Sequence, residues 1–207
     1  MRLVLMSDTH MRHDLLTVPD GDVVIHAGDA TRRGSIVEVA AFGNWFAGLP
    51  HKHKIFVAGN HDWLFETDRL LAISLLPDPI KYLQDSETHV DGLKFYGSPW
   101  TPRFLDWAFN LDRGPELAEK WDMIPNDTNV LITHGPPYGV RDLTERGVHA
   151  GCEDLTRRIL GRERVGGMQL HVFGHIHEGA GVSGHFVNAS VLDETYSVVN
   201  QPTVIDL

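Results

Sequence analysis

Five short apolar runs in this chain stop at a small residue and are followed at once by carboxylate, amide or imidazole side chains. LVLMSDTH places Asp8 and His10 after the first run, VVIHAGD places Asp29 after the second, and IFVAGNHD places Asn60, His61 and Asp62 after the third. VLITHG ends in His134, and HVFGHIH ends in His175 and His177. Buried strands do not normally end in clusters of polar side chains. In open α/β sheets ligands bind in the crevice outside the carboxyl ends of the strands, so these tips define the candidate site.

The donor types narrow the chemistry. Three oxygen donors, Asp8, Asp29 and Asn60, stand with four imidazoles, His10, His134, His175 and His177, and no thiolate joins them. Such a set suits borderline ions such as Mn, Fe, Co or Zn better than calcium or a thiolate-loving ion. Seven donors exceed one tetrahedral zinc site and match two ions that share a carboxylate. Asp29, alone between the other ligand groups, is the natural bridge. Water held between two such ions loses a proton near neutral pH and attacks phosphorus in line, so the expected chemistry is phosphoester hydrolysis.

Regular elements must carry these residues. A strand from Arg2 to Ser7 and another from Asp22 to Ala27 flank a turn at Pro19, Asp20 and Gly21. Ser35 and Glu38 have capping-box spacing and open a helix with Ile36, Val39, Ala40, Gly43 and Phe46 on one face, ending near Gly48 and Pro50. The Ile55–Ala58 strand follows directly, which makes a β-α-β unit and calls for a right-handed crossover in a largely parallel sheet. Asp68 to Leu76 reads as a helix that Pro77 terminates, and Thr88 to Gly97 as a hairpin around Asp91 and Gly92. Ser98 to Arg113 reads as a long insertion without regular structure, of the kind used for lids and binding loops. Helices are expected from Pro115 to Met123 and from Glu153 to about Leu160, and strands at Asn129–Thr133, at Leu170–Phe173 and, two or three of them, within Phe186–Leu207. The repeated strand-then-ligand pattern suggests two β-rich halves facing one cleft.

The motif set, DxH at Asp8 and His10, GD at Asp29, GNHD at 59–62, a lone TH at His134 and GHIH at 174–177, resembles that of the calcineurin-like metallophosphoesterases in type and order. SPWTPRFLDWAFNL, ITHGPPYG and VFGHIHEG are similar to the small metallophosphodiesterase subgroup that includes bacterial class III cyclic nucleotide phosphodiesterases. The resemblance implies an α/β fold, a four-layer α-β-β-α sandwich of two mixed sheets. It implies a pair of divalent or trivalent ions, one on Asp8, His10, Asp29 and His177, the other on Asp29, Asn60, His134 and His175. It implies phosphodiester hydrolysis, of cyclic nucleotides above all, with His61 as the general acid beside the leaving-group oxygen and Asp62 orienting it. Asn60 and His61 would also touch substrate. Some animal members of the subgroup lack the first His of GHxH, which is present here as His175.

His149, in the loop after Pro137 and Tyr138, is a further candidate substrate contact. Trp100, Arg103, Phe104 and Trp107 either stack a base and clamp a phosphate or pack the insertion down. His13, His26, His51, His53, His89, His171 and His185 read as structural. Gly28, Gly59, Gly135 and Gly174 each adjoin a ligand and point to close backbone approach. The 207 residues suit one domain, 1–207, and the single cysteine, Cys152, reads as a small buried hydrophobe that suits a reducing compartment. The first apolar run is too short for a signal peptide or a membrane span, so the expected location is cytoplasmic, with no membrane partner. A net charge of −10 disfavours long nucleic acid and leaves a small phosphoester, a nucleotide for instance, as the expected partner. The donors by themselves also accommodate a phosphomonoesterase or a metal-binding scaffold without catalysis.

Overall fold

The computed structural model describes residues 1–161 and 165–207. The chain runs β1 (Arg2–Met6), β2 (Val23–His26), α1 (Ile36–Ala47), β3 (His53–Phe56), α2 (Trp63–Thr67), α3 (Arg69–Ser74) and β4 (Ile80–Tyr82). It continues through β5 (Ser86–Val90), β6 (Leu93–Ser98), β7 (Thr101–Pro102), β8 (Asn110–Leu111), α4 (Pro115–Asp122) and β9 (Val130–Thr133). The last elements are α5 (Glu153–Leu160), β10 (Leu170–Phe173), β11 (Gly181–Ser183), β12 (Phe186–Asn188) and β13 (Thr203–Asp206).

One sheet has the order β13-β1-β2-β3-β4 and the other β11-β12-β10-β9-β6-β5. β1 to β4 are parallel, with Leu3 opposite Val23 and Val23 opposite His53, and only β13 runs against them. In the second sheet β6, β9, β10 and β12 are parallel, and the antiparallel β5 and β11 close its edges. Side chains alternate across a strand, and that alternation assigns the layers. Leu3, Leu5, Ile25 and Ile55 pack against Phe95, Ile132 and Val172 between the sheets. Val4, Met6, Val24 and Phe56 face outward onto Phe42 and Phe46 of α1. Tyr96, Leu131 and Phe173 face the other way onto Trp121 of α4 and Leu155 of α5. The result is an α-β-β-α sandwich whose two helical layers keep both sheets dry. Among the described residues, no helix is long and apolar enough to cross a membrane.

Local chemistry explains most element ends. Ser35 accepts from Glu38 N (3.3 Å) and Glu38 Oε2 accepts from Ser35 N (3.0 Å), the capping box of α1. The buried face of α1 uses Phe42 with Val39, Gly43 and Phe46, while Ile36, expected on that face, is exposed. The Asp68 side chain accepts from Leu71 N and opens α3. The insertion expected to be irregular carries the two-residue strands β7 and β8, which pair in parallel and pin its base. Cys152 is buried and accepts a hydrogen bond from Trp121 Nε1 (3.2 Å).

Two strand histidines are buried completely. His26 Nε2 lies 2.9 Å from Thr9 Oγ1, and His171 Nε2 lies 2.8 Å from Thr133 Oγ1, so each braces a threonine next to a ligand. Thr133 donates to the Gly135 carbonyl (2.7 Å), hence His171 donates from Nε2 and its Nδ1 lies bare in the core. Burial, with His185 nearby, pushes the His171 imidazole down to about 3. The unfolded chain takes up that proton below about pH 6.5, so the stability tied to neutral His171 is complete above that pH. It is lost as pH falls toward 3, at about 1.4 kcal/mol per pH unit. In urea denaturation with a chelator present, His171→Gln is expected to lose about 2 kcal/mol less than the parent between pH 7 and pH 5. Parallel pH slopes for the two proteins would show that His171 stays neutral in neither state.

Candidate metal centre

Because β1, β2 and β3 are parallel, their carboxyl ends reach one edge, and β9 and β10 bring theirs to the same edge from the second sheet. The tips are laced together by backbone. Asp8 N donates to Gly28 O (2.9 Å), His10 N to Asp29 O (3.0 Å) and Gly174 N to His134 O (2.9 Å). Between sheets, His175 N donates to both Asp8 carboxylate oxygens (3.1 and 3.0 Å). Asp8, His10, Asp29 and His175 all have left-handed backbones, with φ of 57°, 41°, 56° and 69°. That conformation costs about 1 to 3 kcal/mol per residue, and such strain concentrates where side chains are aimed for function.

Among the described residues three overlapping groups of potential ligands result: Asp8, His10 and His177; His10, Asp29 and His61; and Asp29, His134 and His175. Within each group the ligand atoms lie within 4.8 Å of one another. Asp29 belongs to two groups, with Oδ2 3.6 Å from His10 Nε2 and Oδ1 3.4 Å from His134 Nε2. Asn60 Oδ1 sits 2.9 Å from His134 Nε2 and completes the last group. The imidazoles are aimed by backbone carbonyls. Nδ1 of His10 faces Thr31 O (3.2 Å), Nδ1 of His134 faces Ala27 O (3.0 Å) and Nδ1 of His177 faces Asp193 O (3.0 Å). A carbonyl accepts only from N–H, so each Nδ1 carries hydrogen and each Nε2 turns to the centre.

Charge is balanced inside. Burial alone would raise the Asp8 carboxyl, but the His177 hydrogen bond and charge hold it below the usual carboxylate range. Asp29 is likewise held well below that range against burial, by the charges of His134 and His61. Burial disfavours imidazolium at His134 and His177, yet Asp29 lifts the first and Asp8 the second to about 9. His10 and His175, where burial dominates, fall to about 4 and about 3.

Residues 1–179 match the Calcineurin-like phosphoesterase family. The chain belongs to that family. It is 43% identical over 234 residues to Metallophosphoesterase domain-containing protein 1 of Homo sapiens, covering all of this chain and 71% of that protein. It is 38% identical over 223 residues to UPF0046 protein K07C11.7 of Caenorhabditis elegans, covering 99% of this chain and 74% of that one. The chain is therefore a metal-dependent phosphoester hydrolase.

The donors of this calcineurin-like phosphoesterase fit divalent metal ions. His10 Nε2 is buried, points into the cluster and has no hydrogen-bond partner among the described residues, an arrangement that costs free energy unless a cation takes the lone pair. Two expected contacts differ in the structure. The Asp62 carboxylate hydrogen-bonds elsewhere than to the His61 ring: it accepts from Gly59 N (2.8 Å), Thr31 N (2.9 Å), Thr31 Oγ1 (2.7 Å) and Ala30 N (3.3 Å), tying the β2 and β3 tips together. Burial and the nearby Asp29 charge push the Asp62 carboxyl up to about 6. His61 is oriented instead by the Arg32 carbonyl, 2.8 Å from Nδ1, and by the Trp107 ring stacked at 4.1 Å. His149 pairs with buried Asp142 (2.7 Å) and is absent from the linings of the two cavities at the cluster.

The insertion divides. Trp107, Phe104 and Leu105 line the site, whereas Trp100 donates to Asp85 (2.8 Å) and Arg103 to Asp112 (2.5 Å). Sequence reasoning also missed Ser190, whose hydroxyl donates to Asp8 Oδ2 (2.6 Å), and Tyr196, edge-on to His10 at 4.9 Å. Both lie in the closing loops after β12, where no apolar run marks a tip. Of the glycines, Gly174 is the tightest at a ligand: a Cβ there would overlap Asp8 Oδ2 and Ser7 Oγ and lie 2.6 Å from Ser7 Cβ. Gly135, by contrast, would meet only Thr101. Gly174→Ala is expected to weaken metal binding about 10- to 100-fold, read by competition with a chromogenic chelator. Unchanged affinity would mean that the β10 tip yields without moving Asp8.

Proposed function

We propose that the protein hydrolyses small phosphodiesters, with cyclic nucleotides as the first candidates, using two metal ions that share Asp29. Asp8, His10, Asp29 and His177 would hold one ion and Asp29, Asn60, His134 and His175 the other. When bound, the ions supply Lewis-acid charge at phosphorus and a nucleophile from water at neutral pH. The observation that carries the diester reading is the space around His61. A cavity of about 510 Å³ and another of about 380 Å³ share His10, His61, Trp107 and Tyr196, so the cluster opens in two directions, as an ester with two substituents requires.

His61 occupies the junction of the two cavities. Its Nδ1–H is committed to the Arg32 carbonyl, so Nε2, 4.0 Å from Asp29 Oδ2, is the nitrogen through which it moves a proton. A departing alkoxide needs that proton, whereas a nitrophenolate does not. Stacking on Trp107 limits rotation of the ring and keeps Nε2 on the cluster. The mixed nitrogen and oxygen donors make Mn, Fe, Co or Zn the ions to try. Turnover of 2′,3′- and 3′,5′-cyclic nucleotides, mononucleotides and a nitrophenyl diester, with Mn supplied, tests the reading. Cyclic nucleotides are expected to lead. A preference for mononucleotides would make the protein a monoesterase, and silence on every compound would leave a metal-binding scaffold.

A further inference from the structure

The larger of the two cavities has a wall that diester hydrolysis alone does not call for. Arg12, Arg32 and Arg33 line it, together with Trp107 and Tyr196, and among the described residues no carboxylate does. The three guanidinium groups make no hydrogen bond or ion pair within the described chain. In a chain of net charge −10, three arginines gathered on one cavity give it a local positive field that draws anions. A guanidinium fork matches a phosphate bidentately, and two aromatic walls suit a base or ribose between them. The second cavity differs: beside the ligands of the cluster, the described residues lining it include Glu178 and Glu194 and no arginine or lysine, so it offers a second phosphate no side-chain cation. The arginines therefore favour one direction out of His61.

Resting on the diester reading above, we infer that the Arg12, Arg32 and Arg33 cavity is a subsite for a second phosphate on the leaving-group side. The preferred substrate is then a nucleotide diester that carries a further terminal phosphate beyond the scissile one. His61 lines both cavities, and the arginines give this one the charge to receive a leaving group that carries a phosphate. The arginines act by binding, with no bond made or broken at them.

The test compares adenosine 2′,3′-cyclic phosphate with its 5′-phosphorylated form on the Mn-loaded enzyme. The 5′-phosphorylated compound is expected to have a KM lower by about tenfold or more, with the advantage shrinking as salt is raised. Arg12→Gln with Arg33→Gln should erase that difference by raising KM for the 5′-phosphorylated form alone, with kcat little moved. Arg32 is kept because its carbonyl holds His61. Lys52→Gln, at the N-terminal end of β3, serves as the charge control and should preserve the difference. A second arm needs no turnover: calorimetry of chelator-treated protein with adenosine 3′,5′-bisphosphate against adenosine 3′-monophosphate. Tighter bisphosphate binding that depends on Arg12 and Arg33 supports the subsite. Equal binding of the two nucleotides, or equal KM values in the parent, overturns it. Hydrolysis without discrimination removes the subsite and leaves the diester reading standing. Discrimination in calorimetry without any hydrolysis does the reverse.

Discussion

Asp29→Asn is expected to leave a folded protein that holds fewer than two metal ions and has lost more than about 1,000-fold in activity, over about 4 kcal/mol of barrier. The substitution keeps the shape and one acceptor oxygen, so His61 N, now 2.8 Å from Asp29 Oδ1, retains a partner. What it removes is charge. Among the described residues Asp29 is the one carboxylate that joins the His10 and His134 groups, and both cations would lean on it. Its negative charge also lifts His134, so the variant changes the second ligand through the first. An amide has one lone-pair oxygen where a carboxylate offers two, and it cannot serve two cations at once. Metal content by elemental analysis after Mn reconstitution, beside circular dichroism to verify folding, checks this directly. Two bound ions and parental turnover in the variant would remove Asp29 from the shared position.

How much of this centre is legible in the sequence depends on whether a residue's role is local. An apolar run and the polar residue that ends it are one continuous signal, and in a parallel sheet every such end reaches the same edge. Asp8, Asp29, Asn60, His134 and His175 are visible for that reason. The capping box of α1 and the Asp91-Gly92 hairpin are equally local, with Asp91 and Gly92 at φ of 46° and 87° as the tight turn requires. β4, three residues between Pro79 and Leu83, lacks the length to stand out, and α2 has only five residues. Asp62 adjoins His61 in sequence, which suggests a pairing, but its side chain turns to Thr31 across the loops, a contact set by how the tips cross. Arg32 and Arg33 carry no local signal beyond standing just before Ser35, the cap of α1. Their place on a cavity wall follows from the arrival of Trp107 and Tyr196, remote in sequence.

The general-acid role of His61 makes the sharpest demand on the substrate. His61→Ala is expected to slow hydrolysis of a 2′,3′-cyclic nucleotide by about 10²- to 10⁴-fold, and that of bis(nitrophenyl) phosphate by less than about tenfold. The difference arises because a ribose alkoxide is a poor leaving group without a proton, while nitrophenolate leaves as an anion. The geometry also admits a rival role, since His61 Nε2 shares a group with His10 and Asp29 and so could reach a cation itself. Metal content separates the two. An acid can be removed with both ions retained and a loss confined to poor leaving groups. A ligand cannot: its removal should empty part of the centre and slow both substrates alike. Equal losses with a missing ion would therefore transfer His61 from the proton path to the coordination sphere. Unequal losses with two ions in place would assign Nε2 to the leaving oxygen, on a ring held between the Arg32 carbonyl and the face of Trp107.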